Sequence, residues 1–131
     1  MKKISIRTSQ KEELIDITEI IQEEIENVKI RDGLVFVFCL HTTAGIFITE
    51  NEPGLKKDWL SFFKKITSGI SYFHNHLDGN ADSHIFGALI GQSQLLPVRE
   101  KKLILGRWQR IFLIELDGPR KREIIIDFLK T

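Results

Sequence analysis

The chain has 131 residues, 42% of them apolar and 28% charged, and nineteen Lys or Arg stand against eighteen Asp or Glu for a formal net charge of +1. These figures fit one globular domain and exclude a disordered or fibrous chain. So even a balance supplies no field to hold a phosphate backbone or an anionic lipid surface, so neither nucleic acid nor a membrane is an expected partner. The single thiol, Cys39, lies in an apolar run where it reads as a buried hydrophobe, a usage that fits a reducing cytoplasm. The alternating start Met1-Lys2-Lys3-Ile4-Ser5-Ile6-Arg7 lacks the apolar stretch of a secretion signal, and no run reaches the roughly 18 residues that cross a bilayer. A cytoplasmic location is expected.

In chain order, Ile4 and Ile6 alternate with polar neighbours and predict a strand. Asp16-Ile17-Thr18-Glu19 offers a capping box before a helix running to Val28, with Ile17, Ile20, Ile21, Ile25 and Val28 on one face. The turn Arg31-Asp32-Gly33 leads into Leu34 to Leu40, a continuous apolar run that predicts a strand covered on both faces. Ile46 to Thr49 predicts a short strand. Pro53 opens a helix with Leu55, Trp59, Phe62, Phe63 and Ile66 inward. Ser68 to Asn80 is a polar connection carrying Tyr72, His74 and His76, long enough to suggest a functional loop. Asp82 or Ser83 caps a short helix with Ile85, Phe86, Leu89 and Ile90 inward and Gly91 as its stop. Gln94 to Val98, Leu103 to Leu105, Arg110 to Leu116 and Glu123 to Leu129 predict strands, with turns at Arg99 to Lys102 and Asp117 to Arg120. The whole predicts an α+β class: a compact sandwich of mostly antiparallel strands with about three helices, the late strands forming hairpins.

The histidines fall in two places, His41 at a strand end and His74, His76 and His84 around one loop. Three imidazoles with an open fourth position make a catalytic zinc site, whereas the plainer reading has His41 satisfied at a strand end, His76 solvated and His84 serving a helix terminus. His41-Thr42-Thr43-Ala44-Gly45 reads either as a donor-rich cradle for an anion or as a connecting turn. Glu50, after the returning strand, reads either as a ligand or general base near His41 or, with Glu52, as a carboxylate favouring the next helix start. Asp117-Gly118-Pro119-Arg120 offers an arginine fork to phosphate, or else a solvated tip with a local ion pair. Trp108 and Gln109 suit a pocket, or for Trp108 a core or subunit interface.

Taken together, His41-Thr-Thr-Ala-Gly, Glu50-Asn-Glu, Tyr72-Phe-His74, Asn80-Ala-Asp-Ser-His84, Leu105-Gly-Arg-Trp-Gln109 and Asp117-Gly-Pro-Arg120 resemble, in order and spacing, the YjbQ-like family, also called the secondary thiamine-phosphate synthase family. The resemblance implies a homotrimer with clefts between subunits and a divalent metal, zinc in the first instance, on His41, His74 and His84. It also implies action on a small phosphorylated molecule, with a thiamine-phosphate synthase side activity that joins a pyrimidine diphosphate to a thiazole phosphate. In that frame Glu50 or a free histidine, His74, moves the proton, while Thr42, Thr43, Gln109 and Arg120 hold substrate. The alternatives are a non-catalytic trimeric module that binds a small anion or metal, and a metal-dependent hydrolase. Two departures stand out: Arg107 replaces the family's usual threonine, and a lysine precedes Leu103-Ile104-Leu105-Gly106 where glycine is usual.

Overall fold

The structure is a computed structural model describing residues 1–131. Its strands are β1 (Lys2–Arg7), β2 (Glu13–Asp16), β3 (Gly33–Cys39), β4 (Ala44–Thr49), β5 (Ser93–Arg99), β6 (Lys102–Leu103), β7 (Arg110–Glu115) and β8 (Lys121–Lys130), and its helices are α1 (Thr18–Asn27), α2 (Pro53–Thr67) and α3 (Ala81–Ile90). A 3-10 turn, Phe73–His76, precedes α3. Two antiparallel sheets result, one in the order β1-β8-β3-β5-β6 and one in the order β2-β7-β4.

Side-chain alternation decides how these sheets stack. Val35, Val37 and Cys39 of β3, with Ile124 and Ile126 of β8, bury one face of the larger sheet. Against it lie Ile46 of β4, Ile111 and Leu113 of β7, and Ile17, Ile21 and Ile25 at and within α1. The intervening residues of the smaller sheet, Phe47, Phe112 and Ile114, face the other way and pack on Phe63 of α2 and Phe86 of α3. Three layers follow, with the three-stranded sheet in the middle. Each inner residue is fully enclosed, so Ile111→Ala or Leu113→Ala costs about 2–5 kcal/mol.

The expected α+β sandwich of antiparallel strands is what forms, and several local expectations change. β3 is covered on one face only: Leu34, Phe36 and Phe38 are half-buried, the two phenylalanine rings stacking at 6.0 Å. α2 buries Phe63 and Thr67, while Phe62 and Ile66 are exposed. α3 starts at Ala81, ahead of the expected caps, and leaves Ile85 and Leu89 exposed. Glu19 does not close a capping box with Asp16; both carboxylates turn to Arg110, at 3.0 and 2.8 Å respectively. The last strands do not form a hairpin, because β7 joins the middle sheet and β8 the outer one. Their connection, Leu116 to Arg120, therefore bridges the two sheets at one end of the sandwich.

Candidate active site

At that end the exit of β3, the entry of β4, the β7–β8 connection and the start of α3 converge. The parity that sends Ile111 and Leu113 inward also sends Glu115 inward, and Arg122 likewise continues the face of Ile124 and Ile126. The two meet in the interior: Arg122 Nε donates to Glu115 Oε2 at 2.8 Å, and Nη2 donates to Glu115 Oε1 and to the hydroxyl of Thr43 at 2.8 Å. Glu115 also accepts from the Thr8 hydroxyl at 2.8 Å and the Asp117 amide at 3.0 Å. Burial pushes its carboxyl up, but the hydrogen bonds from Arg122, Asp117 and Thr8 outweigh that and hold it below the usual carboxylate range. One buried ion pair thus fastens the His41–Thr43 segment to the loop that carries Asp117.

Above it runs a second chain of polar contacts. Arg120 donates through Nε to the Asp117 carbonyl at 2.8 Å and through Nη2 to Asp117 Oδ2 at 3.1 Å. Asn80 Nδ2 donates to the same oxygen at 2.8 Å, and Asn80 Oδ1 lies 3.0 Å from His74 Nε2. Because a carboxylate only accepts, the amide is oriented with its oxygen toward His74, so Nε2 of His74 carries the proton and Nδ1 is left as a base. His84 packs edge-on to His74 with ring centres 4.7 Å apart. The pair borders a cleft of about 470 Å³ lined also by Ser71, Tyr72, Phe73 and Ile85. The short turn and α3 hold this arrangement, Asn75 Oδ1 accepting from the Ala81 amide at 3.0 Å and Ser83 donating to the Leu116 carbonyl at 2.7 Å.

His41 is half-buried beside the same loop, and its Nε2 accepts from the Glu123 amide at 2.8 Å. Burial, then the charges of Arg122 and Arg120, set against Glu115 and Glu123, lower its pKa below the ordinary 6.5. Thr42 is exposed, whereas Thr43 is buried and its hydroxyl is engaged by Arg122. Gly87 of α3 sits on this segment so closely that an added Cβ would lie 3.0 Å from the Thr42 carbonyl oxygen.

The metal implied by the sequence resemblance requires at least three donors around one point. His74 and His84 come together, but no group of three His, Cys, Asp or Glu side chains within the chain is arranged to hold an ion. The donor set does not fit a metal within one chain.

The YjbQ-like UPF0047 family model matches residues 2–131. The chain belongs to this YjbQ-like family. It is similar to a UPF0047 protein of Archaeoglobus fulgidus, 43% identical over 127 residues covering 96% of this chain and 98% of the relative. It is also similar to the UPF0047 protein YugU of Bacillus subtilis, 37% identical over 130 residues covering 98% of each. Among solved structures, a YbjQ-like protein of unknown function from Sulfolobus solfataricus superposes with a TM-score of 0.95 at 39% identity, covering 99% of this chain and 96% of that one.

In this YjbQ-like chain the motif residues divide between two ends of the sandwich. Register pairs Ala44 with Glu115 and Thr49 with Arg110, so Glu50 and Gln109 lie a β4 length, roughly 17 Å, from the His41 end. Glu50 therefore does not approach His41, because the strand that returns from the Thr42–Thr43 turn carries it away into the other sheet. It borders a separate cleft of about 350 Å³ with Asn51, Arg107 and Trp108. Gln109 closes its own turn, Oε1 accepting from the Gly106 amide at 2.7 Å. Glu52 caps α2, accepting from the amides of Gly54 and Leu55 at 2.7 and 2.8 Å. His76 is exposed and bonds only the Phe73 carbonyl within its own turn. Glu115 and Arg122 were not singled out from the sequence, and Asn80 entered only as the first residue of the Asn80–His84 motif, with no role of its own. A glutamate and an arginine at inward positions of otherwise apolar strands were the available signal for Glu115 and Arg122.

Proposed function

We propose that this protein is a small cytoplasmic enzyme acting on a phosphorylated metabolite at the Asp117–Arg120 end of the sandwich. The observation that carries the reading is the continuous relay Arg120–Asp117–Asn80–His74, which ends on an imidazole whose free nitrogen faces away from its orienting partners. A base oriented through a second group by a carboxylate is the arrangement that acid–base catalysis uses. Arg120 spends Nε and Nη2 on Asp117, and its remaining donors, with the Thr42 hydroxyl, suit a phosphate oxygen. Held there, a diphosphate leaving group has its developing charge stabilised by the guanidinium as its bond breaks, and where the incoming nucleophile is water or a hydroxyl, His74 Nδ1 takes that group's proton as the new bond forms.

Hydrolysis of a phosphate or diphosphate ester uses both groups, whereas a transfer that joins a pyrimidine diphosphate to a thiazole phosphate, in which the thiazole nitrogen attacks with its lone pair and has no proton to lose, uses the stabilisation of the departing pyrophosphate alone. We further propose that the working unit is a homotrimer. The large apolar side chains exposed on and between α2 and α3, among them Phe62, Ile70, Phe73, Leu77 and Leu89, support association, since burying them against another copy would remove them from water. The His74–His84 pair favours a second reading in which a subunit contact completes a divalent-metal site, the pair supplying two of its ligands.

The test is to incubate the protein with a panel of small phosphate and diphosphate esters, singly and in pairs, and follow released phosphate and pyrophosphate. Turnover that His74→Gln and Arg120→Ala each abolish supports the reading. Turnover indifferent to both, or tight binding without product, overturns it in favour of another site or a binding module.

A further inference from the structure

The end of β3 places an imidazole where a strand carbonyl would stand. Cys39 is the last residue paired with β8, opposite Ile124, and Leu40 still donates its amide to the Glu123 carbonyl at 3.1 Å. An antiparallel ladder would answer the Glu123 amide with a backbone carbonyl. Here the amide donates to His41 Nε2 at 2.8 Å. A peptide N–H only donates, so the nitrogen facing it must present its lone pair, and the neutral ring keeps its single proton on Nδ1.

That Nδ1 has no partner within the chain, and neither does the hydroxyl of the adjoining, exposed Thr42. The guanidinium of Arg120 acts on the same imidazole through its charge. A metal ion needs a lone pair, but the one on Nε2 is committed to the Glu123 amide and the other nitrogen is protonated. Moving the proton to Nε2 would set two donors against each other inside the sheet edge, at the cost of the amide's only partner.

We propose that His41 is a fixed Nδ1–H donor to a phosphate oxygen, and not a metal ligand. His74 is its complement: the relay through Asn80 protonates Nε2 and frees Nδ1, so the two imidazoles at this end hold opposite tautomers, one to hold the anion and one to move a proton. The tautomer stands on the sheet geometry alone, and only the choice of phosphate rests on the function proposed above.

The experiment uses the whole protein with nitrogen-15-labelled histidine, its ring nitrogens read by long-range proton–nitrogen NMR alone, with Zn²⁺, and with inorganic phosphate. His41→Gln identifies the resonances and retains an amide oxygen able to accept from Glu123. Expected are a protonated Nδ1 and an unprotonated Nε2 on His41, unchanged by Zn²⁺ and shifted by phosphate. His41→Gln should weaken phosphate binding roughly tenfold, the loss of one hydrogen bond to a charged group, and leave Zn²⁺ binding unaltered. A protonated Nε2, or loss of the Nδ1 proton on adding Zn²⁺, overturns the inference. Phosphate binding undiminished in His41→Gln overturns the ligand assignment alone, whereas a wild-type protein that binds no phosphate also overturns the function on which that choice rests.

Discussion

Arg122 and Glu115 lie wholly inside the sandwich, 1% and 0% exposed at the side chain, and between them they engage Thr8, Thr43 and the Asp117 amide. The pair sits at the end of two apolar faces rather than in their middle. From there it couples the β3–β4 connection to the β7–β8 connection, the two segments on which the candidate site is built.

Removing one partner strands a charge. Glu115→Ala or Arg122→Ala should each cost about 3–5 kcal/mol in denaturant unfolding, because the survivor stays buried without its counter-ion. A double Glu115→Leu, Arg122→Met variant should recover most of that stability. It should also loosen the Thr43 and Asp117 segments, seen as faster amide exchange there. Equal loss in the double and the single variants would contradict this account.

Two titrations should shape stability against pH. His41 has a lowered pKa in the fold, so the unfolded chain takes a proton first as pH falls, and stability declines below the ordinary 6.5. Glu115 has a lowered carboxyl pKa, so its contribution is present above the ordinary 4.5 and is lost as pH falls further. Urea midpoints measured from pH 8 to pH 2 should fall in both windows, and His41→Gln should flatten the upper one only.

Much of the fold was legible in the sequence. The β7 and β8 strands, the isoleucine face of α1 and the Gly91 stop of α3 follow from local patterning. Local patterning could not place Phe62, Ile66 and Leu89, since a helical stripe is wider than the face one neighbouring layer covers. The candidate site was legible in part. His74, His84 and Arg120 were identified by residue type, but of the two readings of Glu50 the one that brings it to His41 does not hold, because sequence proximity to a turn does not reveal which sheet the next strand joins. The roles of Asn80 and Arg122 were missed because they depend on pairing over 37 and 79 residues, to Asp117 and Thr43 respectively.

Separation of the two ends carries its own prediction. Glu50→Gln and Gln109→Ala should leave affinity for inorganic phosphate or pyrophosphate unchanged, as both lie roughly 17 Å along β4 and β7 from Arg120. Gln109→Ala should still lower stability by about 1 kcal/mol through its lost bond to the Gly106 amide. Calorimetric titration alongside thermal unfolding separates the two effects.

Association should depend on the apolar surface around α2 and α3. Phe73, 94% exposed in the single chain, and Leu89, 72% exposed, are the sites to test. Phe73→Glu with Leu89→Glu should convert a trimer to a monomer in light scattering while circular dichroism stays unchanged. A wild-type protein already monomeric would remove the trimer from the account.

Titration of the labelled protein with pyrophosphate, followed by backbone amide NMR, tests the central claim most directly. The account predicts shifts concentrated at Thr42, Asn80, Asp117 and Arg120, with affinity reduced at least tenfold by Arg120→Ala and less by Arg120→Lys, which keeps charge without the fork. Shifts centred on Glu50, Arg107 and Trp108, or none at millimolar pyrophosphate, would contradict it.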